Sequence, residues 1–172
     1  MGRRATGPRE PCLHSALVIR LSRPASGVTP TGHGYVVTVP ISQEPHLEQR
    51  LPARPESIAK LRHAIDQVAE RGGASRRRRE DIALAVSEAL SNIVVHAYPG
   101  YDAPGDMWVD AWIHDDALQV SVCDDGIGMV PRSDSPGLGL GLALMGQVCE
   151  QMRLETRDAE PGVRVRMTFA LN

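Results

Sequence analysis

The stretch EDIALAVSEALSNIVVHAY, residues 80–98, decides which fold this chain can adopt. At about 100° per residue, its apolar side chains centre on one broad face and then spread around much of the remainder. The centre of that face is formed by Ile82, Val86, Ala89, Leu90 and Ile93, with Leu84, Val94 and Val95 around it. The pattern predicts a largely buried helix from about residue 76 to residue 98, with Pro99 and Gly100 just beyond its end.

A polar stripe runs along the flank of this predicted helix. Glu88, Asn92 and His96 recur at positions i, i+4 and i+8, so they lie one above the other. Burying an unpaired carboxylate or amide costs several kcal/mol, so some partner must satisfy these groups. Two interpretations stay open. The stripe meets solvent or neighbouring strands at the edge of the core, or it faces a cleft that holds a ligand.

In a cleft, these residue types suit phosphate chemistry. Asn92 offers one oxygen ligand to Mg²⁺, an ion that keeps several waters and takes its other ligands from phosphates. Glu88, one turn earlier, can accept a proton from an attacking hydroxyl or water. His96, in the last turn, is explained by the favourable interaction of a histidine with the helix dipole.

A further candidate residue ends the strand predicted by residues 117–125. Period-2 alternation places Leu118, Val120, Val122 and Asp124 on the same face. An ionised carboxylate at the end of an apolar face needs donors. The adenine amino group is such a donor, whereas guanine presents an acceptor there. The alternative interpretation is an ordinary turn aspartate before a glycine.

Two glycine clusters follow this strand. In Gly126-Ile127-Gly128-Met129, the missing Cβ atoms let the backbone approach a planar base. The cluster Gly137-Leu138-Gly139-Leu140-Gly141-Leu142 precedes a helix predicted from about residue 142 to 151, so its free N–H groups can face phosphates. These glycines do not fit a Rossmann site, because no βαβ unit with a ribose-binding acid accompanies them. They do not fit a P-loop either, because no Gly-Lys-Ser/Thr is present.

The remaining pattern predicts an α+β domain. Strands are expected at residues 35–39, 46–51, 107–114, 117–124, 153–156 and 163–171, with a hairpin turn at Asp115-Asp116. A helix begins at Pro55 and ends at Gly72-Gly73. The order indicates a two-layer α/β sandwich with a mixed, mostly antiparallel sheet. Residues 1–33 are expected to form a disordered leader, and residues 34–172 the folded domain.

Composition argues against several classes of function. The chain has 172 residues, enough for one domain with a full core, and 19 basic against 21 acidic residues give a net charge of -2. This balance gives no field that would draw the protein to nucleic acid or to an anionic membrane. Cys12, Cys123 and Cys149 have no zinc-like spacing and fit reduced thiols in a cytosol. No apolar run has the length of a membrane span.

Four consecutive arginines, residues 76–79, stand at the start of the long predicted helix. The helix dipole disfavours positive charge there. A solvated face would explain the run most simply, and tertiary or partner contacts are the alternative.

Taken together, Glu88-x-x-x-Asn92, Asp124-x-Gly126-x-Gly128 and Gly139-x-Gly141 resemble, in this order, the N, G1 and G2 boxes of the GHKL (histidine-kinase-like) ATPase superfamily. Within it, the residues around Glu88 and Asn92 through His96-Ala97-Tyr98 are most similar to the RsbW-type anti-sigma-factor serine kinases. The resemblance covers about residues 45–171. It implies the Bergerat ATP-binding fold, with helices on one face of the sheet.

The resemblance also implies a role for each matched residue. Glu88 is then the catalytic base, Asn92 the Mg²⁺ ligand and Asp124 the adenine reader. The nucleotide would be contacted by Asn92, Asp124, Gly126, Gly128, Met129, Gly137, Leu138, Gly139, Leu140, Gly141 and Leu142.

Two further details follow from the same comparison. Residues 129–136 become a short ATP lid, with Arg132 as its only basic residue. The last strand reads Gly162-Val163-Arg164-Val165 where the family often has Gly-Thr-Thr-Val. A hydroxyl that would assist adenine binding is therefore missing.

The function that the resemblance implies is ATP- and Mg²⁺-dependent regulation by partner switching. A cytoplasmic, homodimeric kinase would phosphorylate a serine or threonine of an anti-sigma-factor antagonist and would control a sigma factor. The alternative hypothesis is a module in which ATP only stabilises a protein-binding conformation. Glu88 discriminates between the two, because a pure nucleotide-binding module has no need of a base there.

Overall fold

The computed structural model of the chain describes residues 46–127, 138–156 and 161–172, without the side chains of residues 138–140. All of these residues belong to one compact unit, Glu44–Asn172. The expected leader at 1–33 and the expected strand at 35–39 lie outside the described residues.

The described residues form three α-helices, a π-helical turn and five strands. In chain order they are β1 (Leu47–Pro52), α1 (Pro55–Arg71), α2 (Arg76–Asn92), the π turn (Ile93–Ala97), β2 (Asp106–His114), β3 (Ala117–Asp124), α3 (Leu138–Val148), β4 (Gln151–Thr156) and β5 (Val163–Ala170). The strands make one sheet in the order β1-β2-β3-β5-β4, and each described neighbouring pair is antiparallel.

The β2–β3 hairpin has the turn that its sequence predicts. Asp115 and Asp116 have φ angles of 48° and 57°. A two-residue hairpin turn requires this left-handed region at both central positions, and aspartate tolerates it better than most residues. The turn fixes a register in which His114 pairs with Ala117 at one end and Met107 pairs with Asp124 at the other.

A single hydrophobic core lies between the sheet and the helices. Alternate residues of the central strands enter it, and the apolar faces of α1 and α2 meet them. The largest fully buried side chains are Phe169, Leu61, Ile65, Ile82, Leu90, Met107, Leu118, Met145, Met167, Val68, Val86 and Val109. The predicted α+β two-layer sandwich is confirmed, and the described sheet is wholly antiparallel rather than mixed.

The helix predicted to run from about residue 76 to 98 changes its winding before it ends. It is α-helical only through Asn92, and Ile93–Ala97 form a π-helical turn. Three successive β-branched residues, Ile93, Val94 and Val95, lower the α-helical propensity there. His96 lies inside this turn, so the i, i+8 spacing predicted from Glu88 does not carry over to it.

The third helix begins earlier than predicted. It starts at Leu138 instead of about residue 142, so Gly139 and Gly141 belong to the helix itself rather than to a loop before it. Glycine disfavours helix interiors by about 1 kcal/mol, which is why the glycines suggested a loop. Packing of the helix against α2 and the burial of Met145 outweigh that cost.

The arginine run is more than a solvated face, because two of its members are held inside the domain. The Arg78 Nε donates to the Ala170 carbonyl at 2.6 Å, and its Nη1 donates to the Val148 carbonyl at 3.1 Å. The same guanidinium pairs with the Glu150 carboxylate. Arg78 thereby ties the start of α2 to the end of α3 and the end of β5.

The neighbouring Arg79 joins α2 to α1. Its Nε and Nη2 donate to the two Asp66 carboxylate oxygens at 2.7 and 2.6 Å, and its Nη1 donates to Glu70 at 2.6 Å. The hydrogen bond from Arg79 holds the pKa of the Asp66 carboxyl below its ordinary value. The bidentate geometry fixes the angle of approach as well as the distance between the two helices.

We expect Arg78→Ala to lower the free energy of unfolding by about 2 kcal/mol, because two backbone carbonyls and a carboxylate lose their donor. Arg77→Ala is the matched control, since Arg77 is exposed on the same helix turn, and it should change stability by less than about 0.5 kcal/mol. Urea denaturation of both variants measures the difference. Equal midpoints for the two would refute the role given to Arg78.

Candidate nucleotide-binding site

The structure brings two of the predicted site residues together from distant parts of the chain. Glu88, on α2, lies against Gly141 in the first turns of α3. A Cβ atom built on Gly141 would be 1.9 Å from the Glu88 Oε1. Asn92 follows Glu88 by one helical turn and is likewise partly buried. The flank of α2 therefore faces the start of α3, as the cleft interpretation of the polar stripe requires.

The N-terminus of α3 supplies the second group of contacts in the candidate site. The helix begins at Leu138, and the backbone N–H groups in the first turn of an α-helix have no partner within the helix. Together with the positive end of the helix dipole, they suit an anionic group. Leu138, Gly139 and Leu140 all lie in this turn, whereas Leu142 packs against the hydrophobic core.

Asp124 lies at the end of β3, as predicted, and is partly buried. Its Oδ1 accepts a hydrogen bond from the Gly126 N–H at 2.9 Å, and the Val163 N–H also donates to the carboxylate. Burial raises the pKa of Asp124 to about 6, and the nearby charge of Asp125 acts in the same direction. The two backbone hydrogen bonds oppose this rise. At neutral pH Asp124 is thus a carboxylate held in a poorly solvated place.

The structure shows a packing requirement for Gly126, which does not test its predicted approach to a base. A Cβ atom there would lie 2.1 Å from the Ala97 carbonyl oxygen, so the glycine packs directly on the end of the π turn. The next residue continues the contact, because the Ile127 N–H donates to the same carbonyl at 2.9 Å. Gly128, Met129 and Gly137, with the predicted lid at 129–136, lie outside the described residues.

This arrangement agrees with what comparison with known proteins shows. The family model described as a histidine kinase-like ATPase domain matches residues 51–169.

The chain belongs to the histidine kinase-like ATPase family.

Within that family its relatives are serine-protein kinases. The serine-protein kinase RsbW of Bacillus pumilus (strain SAFR-032) is 32% identical over 142 residues, which cover 73% of this chain and 86% of the relative. RsbW of Listeria monocytogenes serotype 4a (strain HCC23) is 33% identical over 138 residues, covering 72% and 85%. The chain therefore belongs with the RsbW-type kinases, and the predicted enzyme class, a serine/threonine-protein kinase that uses ATP, is confirmed at the level of the family.

A solved structure shows the same fold. The RsbU and RsbW domains of a Mycobacterium tuberculosis protein superpose with a TM-score of 0.56 at 22% identity, covering 73% of this chain and 31% of that one. This chain spans about a third of that protein, and the likeness concerns the fold alone.

Two residues that support Asp124 of this histidine kinase-like ATPase were not assigned to the site from the sequence. Gly162 has a φ of 116°, and a Cβ atom there would lie 2.1 Å from the Asp124 carbonyl oxygen. Tyr98 contacts Asp125 through its hydroxyl. The glycine before Val163 was a visible signal, because it stands directly before the last strand. No signal in the sequence pointed to Tyr98, because only the fold brings it next to Asp125.

Arg164 is one position at which the sequence departs from the family pattern, and its side chain points away from Asp124. Its Nε donates to the Cys123 sulfur at 3.3 Å, and its Nη1 lies 3.6 Å from the Glu155 carboxylate. These partners share the sheet face opposite to Asp124 by strand alternation. Arg164 therefore lies on the opposite sheet face from Asp124, and the chain has Val163 and Arg164 at the two positions where the family often has threonine.

Among the described residues there is no cluster of three or more His, Cys, Asp or Glu side chains that could hold a metal ion. The described helices also include none long and apolar enough to cross a membrane. A magnesium ion in this part of the chain would depend on one side-chain oxygen and on ligands from a phosphate group.

We expect Asp124→Asn to weaken ATP binding sharply and to raise the stability of the nucleotide-free protein by about 1 to 3 kcal/mol at pH 7. The raised pKa of Asp124 means that burial of its charge destabilises the fold above pH 6. That cost fades as the pH falls through 6 toward the ordinary value of 3.8, because the folded form then takes up a proton.

Calorimetry with ATP and thermal unfolding without it measure the two effects. Wild-type ATP affinity should also fall between pH 7 and pH 5, and the variant should lose that pH dependence. An unchanged ATP affinity in Asp124→Asn, or equal wild-type affinity for ATP and GTP, would exclude the adenine-reading role.

Proposed function

We propose that this chain is an ATP-dependent serine/threonine kinase that phosphorylates an anti-sigma-factor antagonist and regulates a sigma factor by partner switching. The observation that carries the proposal is the contact between Glu88 and Gly141 at the start of α3. In the proposed complex, the γ-phosphate of ATP would lie at the N-terminus of α3, next to the Glu88 carboxylate. The names of the relatives as serine-protein kinases support a protein hydroxyl as the acceptor.

The described residues fit a bound ATP molecule. Asp124 offers a carboxylate to the adenine amino group from a partly buried position. The first turn of α3 offers free N–H groups to the phosphates. Asn92 offers one oxygen for Mg²⁺, which supplies charge neutralisation between the phosphate oxygens when it is bound. Gly128, Met129 and Gly137 are proposed to complete the contacts.

In the reaction itself, Glu88 acts on the attacking hydroxyl. It accepts the proton of the serine or threonine hydroxyl while that oxygen forms a bond to the γ-phosphorus and the bond to the ADP oxygen breaks. Glu88 returns the proton to solvent after the phosphoprotein leaves. Holding the hydroxyl and the phosphate close together supplies much of the remaining rate enhancement.

The regulatory part of the proposal rests on membership in the RsbW-type group. A free antagonist would be bound and phosphorylated, and a phosphorylated one would leave the kinase available to hold its sigma factor. We propose a cytoplasmic homodimer for this role, with residues 34–172 as the ATP-binding domain after a leader at 1–33. A net charge of -2 gives no support for a nucleic-acid partner.

We expect Glu88→Gln to lower the rate of phosphate transfer to the antagonist by about 10² to 10⁴-fold while ATP affinity stays nearly unchanged. Glu80→Gln is the matched control, since Glu80 lies on the same helix but is exposed and paired with Arg76. A labelled-ATP transfer assay, with purified candidate antagonist proteins from the same organism as substrates, measures the rate. If the wild-type protein binds ATP but transfers no phosphate to any such partner, the kinase proposal is wrong and the alternative hypothesis of a non-catalytic ATP-binding module replaces it.

The contact between the two helices gives an independent test. Gly141→Ala places a methyl group where the Glu88 tip lies, so Glu88 must move, although alanine favours the helix. We expect transfer to fall at least tenfold in a folded protein. Gly146→Ala is the control, because a Cβ there meets nothing within 4 Å. Normal transfer by Gly141→Ala would show that the position of Glu88 does not matter.

A further inference from the structure

The three residues after Asp124 are each held by the end of the π turn. The Ile127 N–H donates to the Ala97 carbonyl at 2.9 Å, and Gly126 packs on that same carbonyl. The Asp125 N–H donates to the Tyr98 hydroxyl at 3.2 Å. Two adjacent residues, Ala97 and Tyr98, thus hold the whole segment whose Gly126 N–H bonds to Asp124.

The Tyr98 hydroxyl bridges the two strands that frame Asp124. Its oxygen lies 2.5 Å from the Asp106 carbonyl oxygen and 2.8 Å from the Asp125 Oδ1, and its single proton is donated to one of these two acceptors at a time. Met107 and Asp124 form the last pair of the β2–β3 ladder. Asp106 and Asp125 are the residues one step beyond that pair, so the hydroxyl takes the place of the next hydrogen bond between the strands.

The surroundings keep the hydroxyl in this position. The Tyr98 ring packs on Gly105, where a Cβ atom would lie 2.0 Å from it. The Tyr98 and Tyr101 rings form an edge-to-face pair with their centroids 5.5 Å apart. Burial, together with the hydrogen bond to Asp125, raises the pKa of the Tyr98 hydroxyl. The group therefore stays protonated and remains a donor at neutral pH.

We propose that Tyr98 is a positioning residue for adenine recognition, which acts by fixing the backbone at Asp125 and thereby the direction of the Asp124 carboxylate. The inference rests on the proposed function, because it assumes that Asp124 reads the adenine amino group. It adds a physical link between the helix that carries Glu88 and Asn92 and the strand that carries Asp124. Tyr98 itself does not touch the nucleotide.

The test compares Tyr98→Phe, which removes only the hydroxyl, with Tyr101→Phe as the control. The Tyr101 hydroxyl has no hydrogen bond to the described residues, and its side chain is 53% exposed. Calorimetry gives the affinity of each protein for ATP and for purine riboside triphosphate, which lacks the 6-amino group. The ratio of the two affinities isolates the bond to Asp124.

We expect Tyr98→Phe to bind ATP about 5 to 20-fold more weakly and to lose most of its preference for ATP over the analogue. Tyr101→Phe should match the wild type in both. A double-mutant cycle with Asp124→Asn should show that the two losses do not add, because both act through one bond.

Two results would overturn the proposal. If Tyr98→Phe weakens ATP and the analogue equally, the hydroxyl only supports the fold. If its affinity for both equals that of the wild type, it has no part in binding. Should Tyr98→Phe fail to fold, Asp125→Ala removes one acceptor of the same hydroxyl and must lower the ATP preference in the same direction. A wild-type protein that binds neither nucleotide would instead refute the proposed function.

Discussion

The position of α2 governs the rest of this structure. One side of the helix is buried against the sheet and α1, so its remaining polar flank must face α3. Arg78 ties the start of the helix to the ends of α3 and β5, and the π turn ties its end to the segment after β3. Because both ends are tied, the flank of the helix that carries Glu88 and Asn92 is held in place. The site is therefore a consequence of how one amphipathic helix is anchored.

The second constraint is the charge of the Asp124 carboxylate, which destabilises the fold because it is partly buried. Asp124 is partly buried, and burial raises its pKa to about 6. A fold selected for stability alone would have an apolar residue at the end of an apolar strand face. Backbone N–H groups from Gly126 and Val163 lower the cost without removing it. Perturbed carboxylates of this kind concentrate at functional sites, which supports the proposal that Asp124 recognises the base.

Much of this arrangement follows from patterns in the sequence, and the exceptions share a cause. Helical and strand periodicity located α1, α2 and the β2–β3 hairpin, because burial of one face decides them. Periodicity could not predict the π turn or the early start of α3, because tertiary contacts decide both. For α3, the glycines in its first turns also have a low helix propensity. The roles of Tyr98 and Arg78 were also out of reach, because each depends on residues far away in the chain. Glu88, Asn92 and Asp124 were found because their polarity breaks an apolar pattern.

In the proposed complex, ATP binds between α2, α3 and the end of β3, with its adenine at Asp124 and its phosphates beside Glu88. A crystal structure of the protein with Mg²⁺ and a non-hydrolysable ATP analogue tests this most directly. We expect the adenine amino group at about 3 Å from the Asp124 carboxylate and the Asn92 oxygen at about 2.1 Å from the magnesium ion. A nucleotide bound elsewhere, or one whose metal makes no contact with Asn92, would contradict it.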